Sequence, residues 1–272
     1  HEYIRTGHLD SKFGFDLEGI ESVLKQLIKA NWCVLKGLHA HIGSQIFELE
    51  PHKDLSVVMV EILSLARQLG HPIENLNVGG GLGVRYVASD DPPTIEEWVK
   101  VISKRITSEC LKRNLDLPRL LCEPGRSLMA TSGLTLYTIG SRKEIPGIGR
   151  IYISVDGGMS DNPRPITYQS VYTACLADRS ISPSLEKVTV AGKHCESGDV
   201  ILKDLPLPCS QRGEILTVFA TGAYNSSMSS NYNRIPRPAT ILVSEGRSEL
   251  IQLREKPEDL LRYDLLPDRF KE

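Results

Sequence analysis

The chain of 272 residues lacks long apolar runs: none approaches the length of about 20 residues that a membrane span takes. It also lacks an excess of one charge, because 32 lysines and arginines stand against 34 aspartates and glutamates, for a formal net charge of −2. The chain therefore has no excess of positive charge that would attract nucleic acid or an anionic membrane surface. We expect neither a membrane nor a nucleic acid among the partners of this protein.

Cysteine pairs of the C-x-x-C type are missing as well. The six cysteines lie in or beside apolar runs, at positions 33, 110, 122, 175, 195 and 209. This pattern favours reduced thiols. The location that it predicts is cytoplasmic, and the plastid stroma is left open.

Strand and helix patterns alternate in the first half of the chain. Apolar residues at helical spacing predict helices that begin near Leu17, Leu55 and Thr94, the first behind the cap candidate Asp16. Thr94 followed by Glu97 is typical of a capping box. Short strands are predicted over 34–42, 76–78 and 120–122. This alternation indicates βαβ units and a parallel sheet or barrel.

From Leu134 onwards, short strand patterns follow one another with few helices between them. The predicted strands cover 134–141, 151–155, 187–191 and 215–221, and a hairpin from Thr240 to Leu253 turns at Glu245 and Gly246. Such a pattern is typical of an antiparallel β domain. We therefore predict an α/β domain over residues 1–131 and an antiparallel β domain over 132–272.

The last predicted strand of the first domain ends in two opposite charges. Pro124 and Gly125 must stop the strand at Cys122, because proline cannot donate to a ladder and glycine weakens one. Glu123 and Arg126 would then lie at the carboxyl end of a strand, where the functional loops of α/β barrels and open sheets emerge. An ordinary strand end with a surface ion pair is the alternative.

A run of glycines follows the preceding predicted strand. Gly79, Gly80 and Gly81 leave bare backbone amides that could point at a phosphate. Neither the dinucleotide fingerprint G-x-G-x-x-G nor the P-loop G-K-[ST] is present, so the signal does not specify a nucleotide. A tight turn without a ligand is the alternative interpretation.

Two histidines occur with a spacing of two on the first predicted strand. His39 and His41 would share one face of that strand, because side chains alternate with period two. They could form a metal pair, which would need further ligands at later strand ends. Alternatively, His41 could stack on a flat aromatic cofactor while Ser44 helps to hold its phosphate, or the histidines could belong to the core.

Three candidate motifs lie in the second half. The loop 156–165 is rich in turn formers and holds Arg164 between two prolines, which suits bidentate capture of a carboxylate. Cys195 and Glu196 place a thiol beside a carboxylate after a strand. Tyr224 follows a later strand. Taken singly, these could be a solvated loop, a structural thiol and a chance tyrosine.

As an ordered set, the motifs are far more specific. From His39 to Asn225 the chain contains, in this order, H-x-H-I-G-S-Q, V-G-G-G-L-G, C-E-P-G-R, D-G-G-M-S-D-N-P-R-P, C-E-S-G-D and G-A-Y-N, and the resemblance that they carry runs from about Ser11 to Tyr263. The set closely resembles the diaminopimelate decarboxylase family, within the alanine-racemase-like class of pyridoxal-phosphate proteins. The resemblance implies a (β/α)8 barrel that binds pyridoxal 5′-phosphate, followed by an antiparallel β-barrel or sandwich domain.

The resemblance also implies a set of cofactor contacts. His41 would pack against the pyridine ring, and Glu123 would keep the ring nitrogen protonated, because a nearby carboxylate favours the pyridinium. Phosphate and pocket contacts would come from Ser44, Gly80, Gly81, Gly125, Arg126 and Tyr224.

On the substrate side, the resemblance implies that Arg126, Arg164 and Tyr168 bind a carboxylate and that Glu196 binds the distal ammonium, with Tyr224 close to both ligands. Cys195 would protonate the α carbon after carbon dioxide leaves. In the family this cysteine comes from the neighbouring subunit, so the resemblance implies a two-fold homodimer with shared active sites. The expected reaction converts meso-2,6-diaminopimelate to L-lysine.

One departure from the family pattern concerns the lysine that binds the cofactor covalently. In the family it lies near the start of the barrel in a Lys-Ala-Asn type motif, which this sequence lacks, and Lys12 matches a different family position. Because the chain starts at His1 and shows about three of eight barrel strands, we expect a carboxyl-terminal part of the enzyme that is inactive alone. Alternatives are a decarboxylase of ornithine, arginine or carboxynorspermidine, and a non-catalytic binding protein.

Overall fold

The structure is a computed structural model that describes residues 12–179 and 185–271. The chain divides into two compact units, His1–Thr131 and Ser132–Glu272. Ser11, where the resemblance begins, lies outside the described residues. Among those residues, none of the helices combines the length and apolar character that crossing a membrane would take.

The first unit contains a three-stranded sheet with its strands in the order β1, β2, β3. The strands are β1 Gly37–His39, β2 Asn75–Asn77 and β3 Arg119–Leu121. They pair in parallel, as the alternating pattern predicted, and Leu38, Leu76 and Leu120 lie side by side across the sheet. All three carboxyl ends therefore meet at one edge.

The first strand is shorter than the predicted 34–42. It ends at His39, because β2 ends at Asn77 and its chain turns at Gly79, whose φ of +65° is left-handed. His41 therefore lies in the segment after the strand, and the alternation that would place His39 and His41 on one strand face does not apply.

The helices of the first unit are α1 Ile20–Leu27, α2 Glu50–Gln68, α3 Ile95–Lys112 and the short α4 Gly125–Met129. Residues of the first three helices form one core with Leu76 of β2. The predicted capping box of α3 is confirmed: Thr94 Oγ1 accepts from Glu97 N at 3.1 Å, and Glu97 Oε2 accepts from Thr94 N at 2.8 Å. The predicted cap of α1 is wrong, because the cap position is Gly19 and Asp16 accepts from the Gly19 amide in the turn before it.

The core of the first unit forms where α2 and α3 pack on the sheet. Its largest fully buried side chains include Leu24, Leu63, Leu76, Trp98 and Ile102. His52 of α2 is buried among them at 1% exposure, with its ring edge-on to Trp98 at a centroid distance of 5.5 Å. Among the described residues, neither ring nitrogen of His52 has a hydrogen-bond partner. A buried, unsatisfied imidazole lowers the free energy of unfolding.

This histidine gives a stability prediction. Burial, helped by the nearby His41, lowers the pKa of His52 from 6.5 to about 4. The folded state therefore binds the proton less well than the unfolded state. The free energy of unfolding that depends on a neutral His52 is fully present above pH 6.5 and is lost as the pH falls towards 4. The His52→Phe variant keeps a ring against Trp98 and is expected to unfold at higher urea. Its advantage over the wild type should grow by about 2 kcal/mol between pH 7 and pH 5.

Urea unfolding at both pH values measures this difference. His71→Phe is the matched control, because His71 is also buried but its Nε2 lies 2.9 Å from the Leu24 carbonyl oxygen. We expect that control to destabilise the protein. A His52→Phe advantage that does not change with pH would contradict the assignment.

The second unit contains a six-stranded sheet in the order β6, β9, β4, β5, β7, β8 and a separate hairpin of β10 and β11. The strands are β4 Thr135–Ile145, β5 Arg150–Val155, β6 Ala174–Leu176, β7 Glu186–Ala191, β8 Val200–Leu207, β9 Ile215–Val218, β10 Thr240–Ser244 and β11 Arg247–Gln252. Two short helices, α5 Arg164–Tyr168 and α6 Asn225–Met228, lie in the connections. The hairpin turns at Glu245 and Gly246, as predicted, and both have positive φ.

The prediction of a purely antiparallel domain needs correction. Strands β5 and β7 pair in parallel, while the other strand pairs of this sheet are antiparallel. A parallel pair needs a long crossover, and the chain between these strands contains the loop 156–163, α5 and β6. Strands β6 and β8 were not predicted, since Ala174–Leu176 is short and Val200–Leu207 is interrupted by charge and proline.

Candidate active site

The candidate site of the first unit lies at the carboxyl edge of its sheet. The segments that follow β1, β2 and β3 carry the sequence motifs 41–44, 79–81 and 123–126. They are held together by backbone hydrogen bonds, since Glu123 N donates to the Gly79 carbonyl oxygen at 2.7 Å and Ala40 N donates to the Asn77 carbonyl oxygen at 3.0 Å. The fold therefore brings these three motifs to one place.

The Glu123 carboxylate is held in position but remains open to solvent. Its Oε1 accepts from Asn77 Nδ2 at 2.7 Å, and its Oε2 lies 3.7 Å from His39 Nε2. The side chain of Glu123 is 58% exposed. Asn77 was missed in the sequence, although a polar residue at the end of an apolar strand is a signal for it. Its Oδ1 accepts from Gly79 N, so it links two of the three segments.

His41 lies half-buried beside this carboxylate. Its Nδ1 accepts from Gly80 N at 3.3 Å, so the ring proton is on Nε2. Burial lowers the pKa of His41 below its usual value, His39 lowers it further, and Glu123 acts in the opposite direction. The imidazole is therefore neutral at neutral pH, which suits packing against a flat aromatic ring.

Arg126 places a buried positive charge next to the same edge. Its side chain belongs to α4 and the residue is 5% exposed. Nη2 donates to Ser44 Oγ at 2.7 Å, and Nη1 donates to the Tyr86 hydroxyl at 2.7 Å. The Ser44 hydroxyl still has a proton to donate, so Ser44 and Arg126 together suit an anion. Tyr86 has no motif of its own, so nothing in the sequence pointed to it.

The glycines of this edge are required by close packing of the loops. A Cβ atom on Gly80 would lie 2.1 Å from the Glu123 carbonyl oxygen, and one on Gly81, with φ +102°, would lie 2.6 Å from the Gly43 carbonyl oxygen. The amides of Gly79 and Gly80 already donate to Asn77 and His41. The main effect of glycine at position 80 is therefore to let the loop after β2 approach the backbone of Glu123 closely. Gly125 differs, because nothing lies within 4 Å of a Cβ atom placed there.

The second unit brings Arg164 together with two tyrosines. Arg164 is 4% exposed, and its guanidinium lies 5.9 Å from the Tyr168 ring centroid and 5.3 Å from that of Tyr224. Its Nη1 donates to the Tyr172 hydroxyl at 3.2 Å, and this hydroxyl donates to Asn225 Oδ1 at 3.4 Å. Tyr172 and Asn225 were missed, because their partners are brought to them only by the fold.

Cys195 and Glu196 lie in an exposed loop of the second unit. The Cys195 residue is exposed and its thiol is free. Its backbone N donates to Asn233 Oδ1 at 2.8 Å. Among the described residues, no group of three or more His, Cys, Asp or Glu could hold a metal ion, so the interpretation of His39 and His41 as part of a metal site gains no support.

Comparison with known proteins places these motifs in a family. Residues 1–130 match the family described as "Pyridoxal-dependent decarboxylase, pyridoxal binding domain". Diaminopimelate decarboxylase of Synechocystis sp. is 55% identical over 269 residues, which cover 99% of this chain and 57% of that protein. The chain belongs to the diaminopimelate decarboxylase family. The Bacillus subtilis member is 43% identical over 268 residues, covering 97% of this chain and 61% of its own length.

The fold agrees with solved structures of the family. The crystal structure of diaminopimelate decarboxylase from M. jannaschii in co-complex with L-lysine has a TM-score of 0.90 and 32% identity, and the match covers 99% of this chain and 61% of that one. The chain therefore spans about three fifths of the length of the relatives that it matches.

The residues at the edge of the first unit fit the cofactor of the family, pyridoxal 5′-phosphate. A carboxylate stabilises a protonated pyridine nitrogen, and Glu123 offers one that is held by Asn77 and open to solvent. A ring face suits the neutral His41. A phosphate needs hydrogen-bond donors, and the Ser44 hydroxyl and the Arg126 guanidinium are donors at this edge.

Proposed function

We propose that the enzyme of which this chain forms part removes carbon dioxide from meso-2,6-diaminopimelate to give L-lysine, with pyridoxal 5′-phosphate as cofactor. The observation that carries the proposal is the edge of the first unit, where Glu123, neutral His41 and buried Arg126 meet. The 55% identity to the Synechocystis diaminopimelate decarboxylase supports this choice of substrate.

In this proposal the first unit holds the cofactor. Glu123 stabilises the protonated ring nitrogen, and Asn77 orients its carboxylate. His41 packs on the ring face, while Ser44, Gly81 and Arg126 hold the phosphate. When bound, the cofactor supplies an electron sink for the pair of electrons that decarboxylation leaves on the α carbon.

The second unit supplies the groups that select the substrate. A buried guanidinium between two tyrosine rings, as at Arg164, suits a carboxylate, because it can donate two parallel hydrogen bonds. Glu196 binds the distal ammonium, and Cys195 donates a proton to the α carbon. A substrate with a single carboxylate, such as ornithine, would leave part of this set without a partner.

We further propose a homodimer in which each subunit completes the other's site with Cys195. Exposure of Cys195 and Glu196 in the chain supports this arrangement. Mixing Glu123→Gln and Cys195→Ala subunits tests it, because a mixed dimer then has one intact site. Recovery of about a quarter of wild-type activity is expected for random pairing. Recovery of none would mean that each subunit uses its own cysteine.

Carbon dioxide release from meso-diaminopimelate, ornithine, arginine and carboxynorspermidine tests the reaction itself. We expect the full-length gene product to act on diaminopimelate and this chain alone to be inactive, since the chain has no Lys-Ala-Asn type motif. Activity on ornithine but not on diaminopimelate would identify a related decarboxylase. Cofactor binding without turnover of any of the four would identify a binding protein.

A further inference from the structure

A buried histidine–aspartate pair lies directly beside Cys195. His194 and Asp199 have side chains that are 0% and 2% exposed, and His194 Nδ1 lies 2.7 Å from Asp199 Oδ2. Because a carboxylate can only accept, Nδ1 of the imidazole is the donor. The pair closes the loop 194–199, in which Cys195 follows the buried histidine immediately.

Asp199 also ties this loop to a second motif. Its Oδ2 accepts from His194 N at 3.0 Å, and its Oδ1 accepts from Met159 N at 2.8 Å. A Cβ atom on Gly158 would lie 2.5 Å from Asp199 Oδ2, and one on Gly192 would lie 2.1 Å from it. These glycines are therefore required for the carboxylate to approach. The motifs D-G-G-M-S-D and C-E-S-G-D form one packed unit around Asp199.

The other side of Cys195 is held by the short helical turn at Tyr232–Arg234. The ring of His194 stacks on Tyr232 with a centroid distance of 6.0 Å and an interplanar angle of 14°. Asn233, at φ +56°, accepts from Cys195 N at 2.8 Å. The backbone of Cys195 is thus anchored at both sides while the residue itself stays exposed.

We propose that His194, Asp199 and Asn233 are positioning residues that fix the thiol of Cys195 for proton transfer. The inference rests on the proposed function, in which the S–H bond of Cys195 breaks, its proton joins the electron pair on the α carbon, and the resulting thiolate regains a proton from water. Proton transfer needs close contact, and a displacement of about 1 Å can cost about 100-fold in rate. An anchored backbone prevents such a displacement.

Two matched pairs of variants in the full-length enzyme test this role. Asn233→Gly keeps the left-handed backbone but removes the acceptor for Cys195 N, whereas Asn233→Asp keeps an acceptor. His194→Leu removes the donor to Asp199, whereas His194→Asn keeps a donor near the Nδ1 position. We expect kcat to fall by about 10- to 100-fold in Asn233→Gly and His194→Leu, with KM unchanged, and to recover largely in Asn233→Asp and His194→Asn.

The second readout is the alkylation rate of Cys195 by iodoacetamide, resolved by peptide mass spectrometry against the exposed Cys209. Asn233→Gly and His194→Leu should change the Cys195 rate by at least about threefold and leave the Cys209 rate unchanged. An unchanged kcat would overturn the inference. So would a loss of kcat accompanied by loss of cofactor absorbance and a changed Cys209 alkylation rate, because that would indicate general misfolding. Cys195→Ala separates the two proposals: full activity in that variant would remove the proposed role of Cys195 itself.

Discussion

Replacing Gly80 with alanine is expected to destabilise the first unit by about 3 kcal/mol and to prevent cofactor binding. The added Cβ atom would lie 2.1 Å from the Glu123 carbonyl oxygen, which is backbone and cannot rotate away. The two loops would have to separate, and the hydrogen bond from Glu123 N to the Gly79 carbonyl oxygen would lengthen. Urea unfolding of the cofactor-free protein measures the loss, and cofactor absorbance measures binding.

Gly125→Ala is the matched control for the stability part of this prediction. Both glycines belong to family motifs, but nothing lies within 4 Å of a Cβ atom at Gly125. Alanine there begins α4 and is expected to leave stability unchanged or to raise it by about 0.4–1 kcal/mol. An equal loss of stability in both variants would mean that the contact with the Glu123 carbonyl oxygen is not the cause of the loss in Gly80→Ala.

The second large effect is expected from Glu123→Gln, which removes a charge with almost no change in shape. A nearby opposite charge shifts a pKa by about 1–3 units, and each unit is a tenfold change in the protonated share of the ring nitrogen. We therefore expect kcat at neutral pH to fall by about 10- to 1000-fold while the glutamine oxygen still accepts from Asn77 Nδ2. Decarboxylation kinetics and a pH titration of cofactor absorbance in the full-length enzyme measure it.

Asn77→Ala separates the charge of Glu123 from its orientation. This variant keeps the carboxylate but removes the donor that lies 2.7 Å from Glu123 Oε1. We expect kcat to fall less in Asn77→Ala than in Glu123→Gln. The cofactor absorbance of Asn77→Ala should equal that of the wild type. A larger loss in Asn77→Ala would show that the segment linked by Asn77, rather than the negative charge, limits the reaction.

Local patterns made much of the fold predictable. The capping box at Thr94 needs only residues that are three positions apart, and the turn at Glu245 and Gly246 needs only two residues with positive φ. The parallel pairing of the first sheet followed from alternating helices and strands. The parallel pair β5–β7 did not follow, because the described part of the crossover between the two strands contains no long helix.

The amino-acid sequence by itself determined the family, through six motifs in a fixed order, and with it the candidate residues Glu123, Arg126, Arg164 and Cys195. It also determined the order of helices and strands in the first unit, since hydrophobic periodicity is a local property.

Only the tertiary structure decided which groups hold those candidates in place. Asn77 reaches Glu123 across 46 positions of the chain, and Ser44 reaches Arg126 across 82. It likewise decided that Gly158 and Gly192 leave room for Asp199, and that His194 anchors Cys195. The physical reason is that such contacts depend on which strand ends lie next to each other in the folded chain. Hydrophobic periodicity is a local property and does not contain that information.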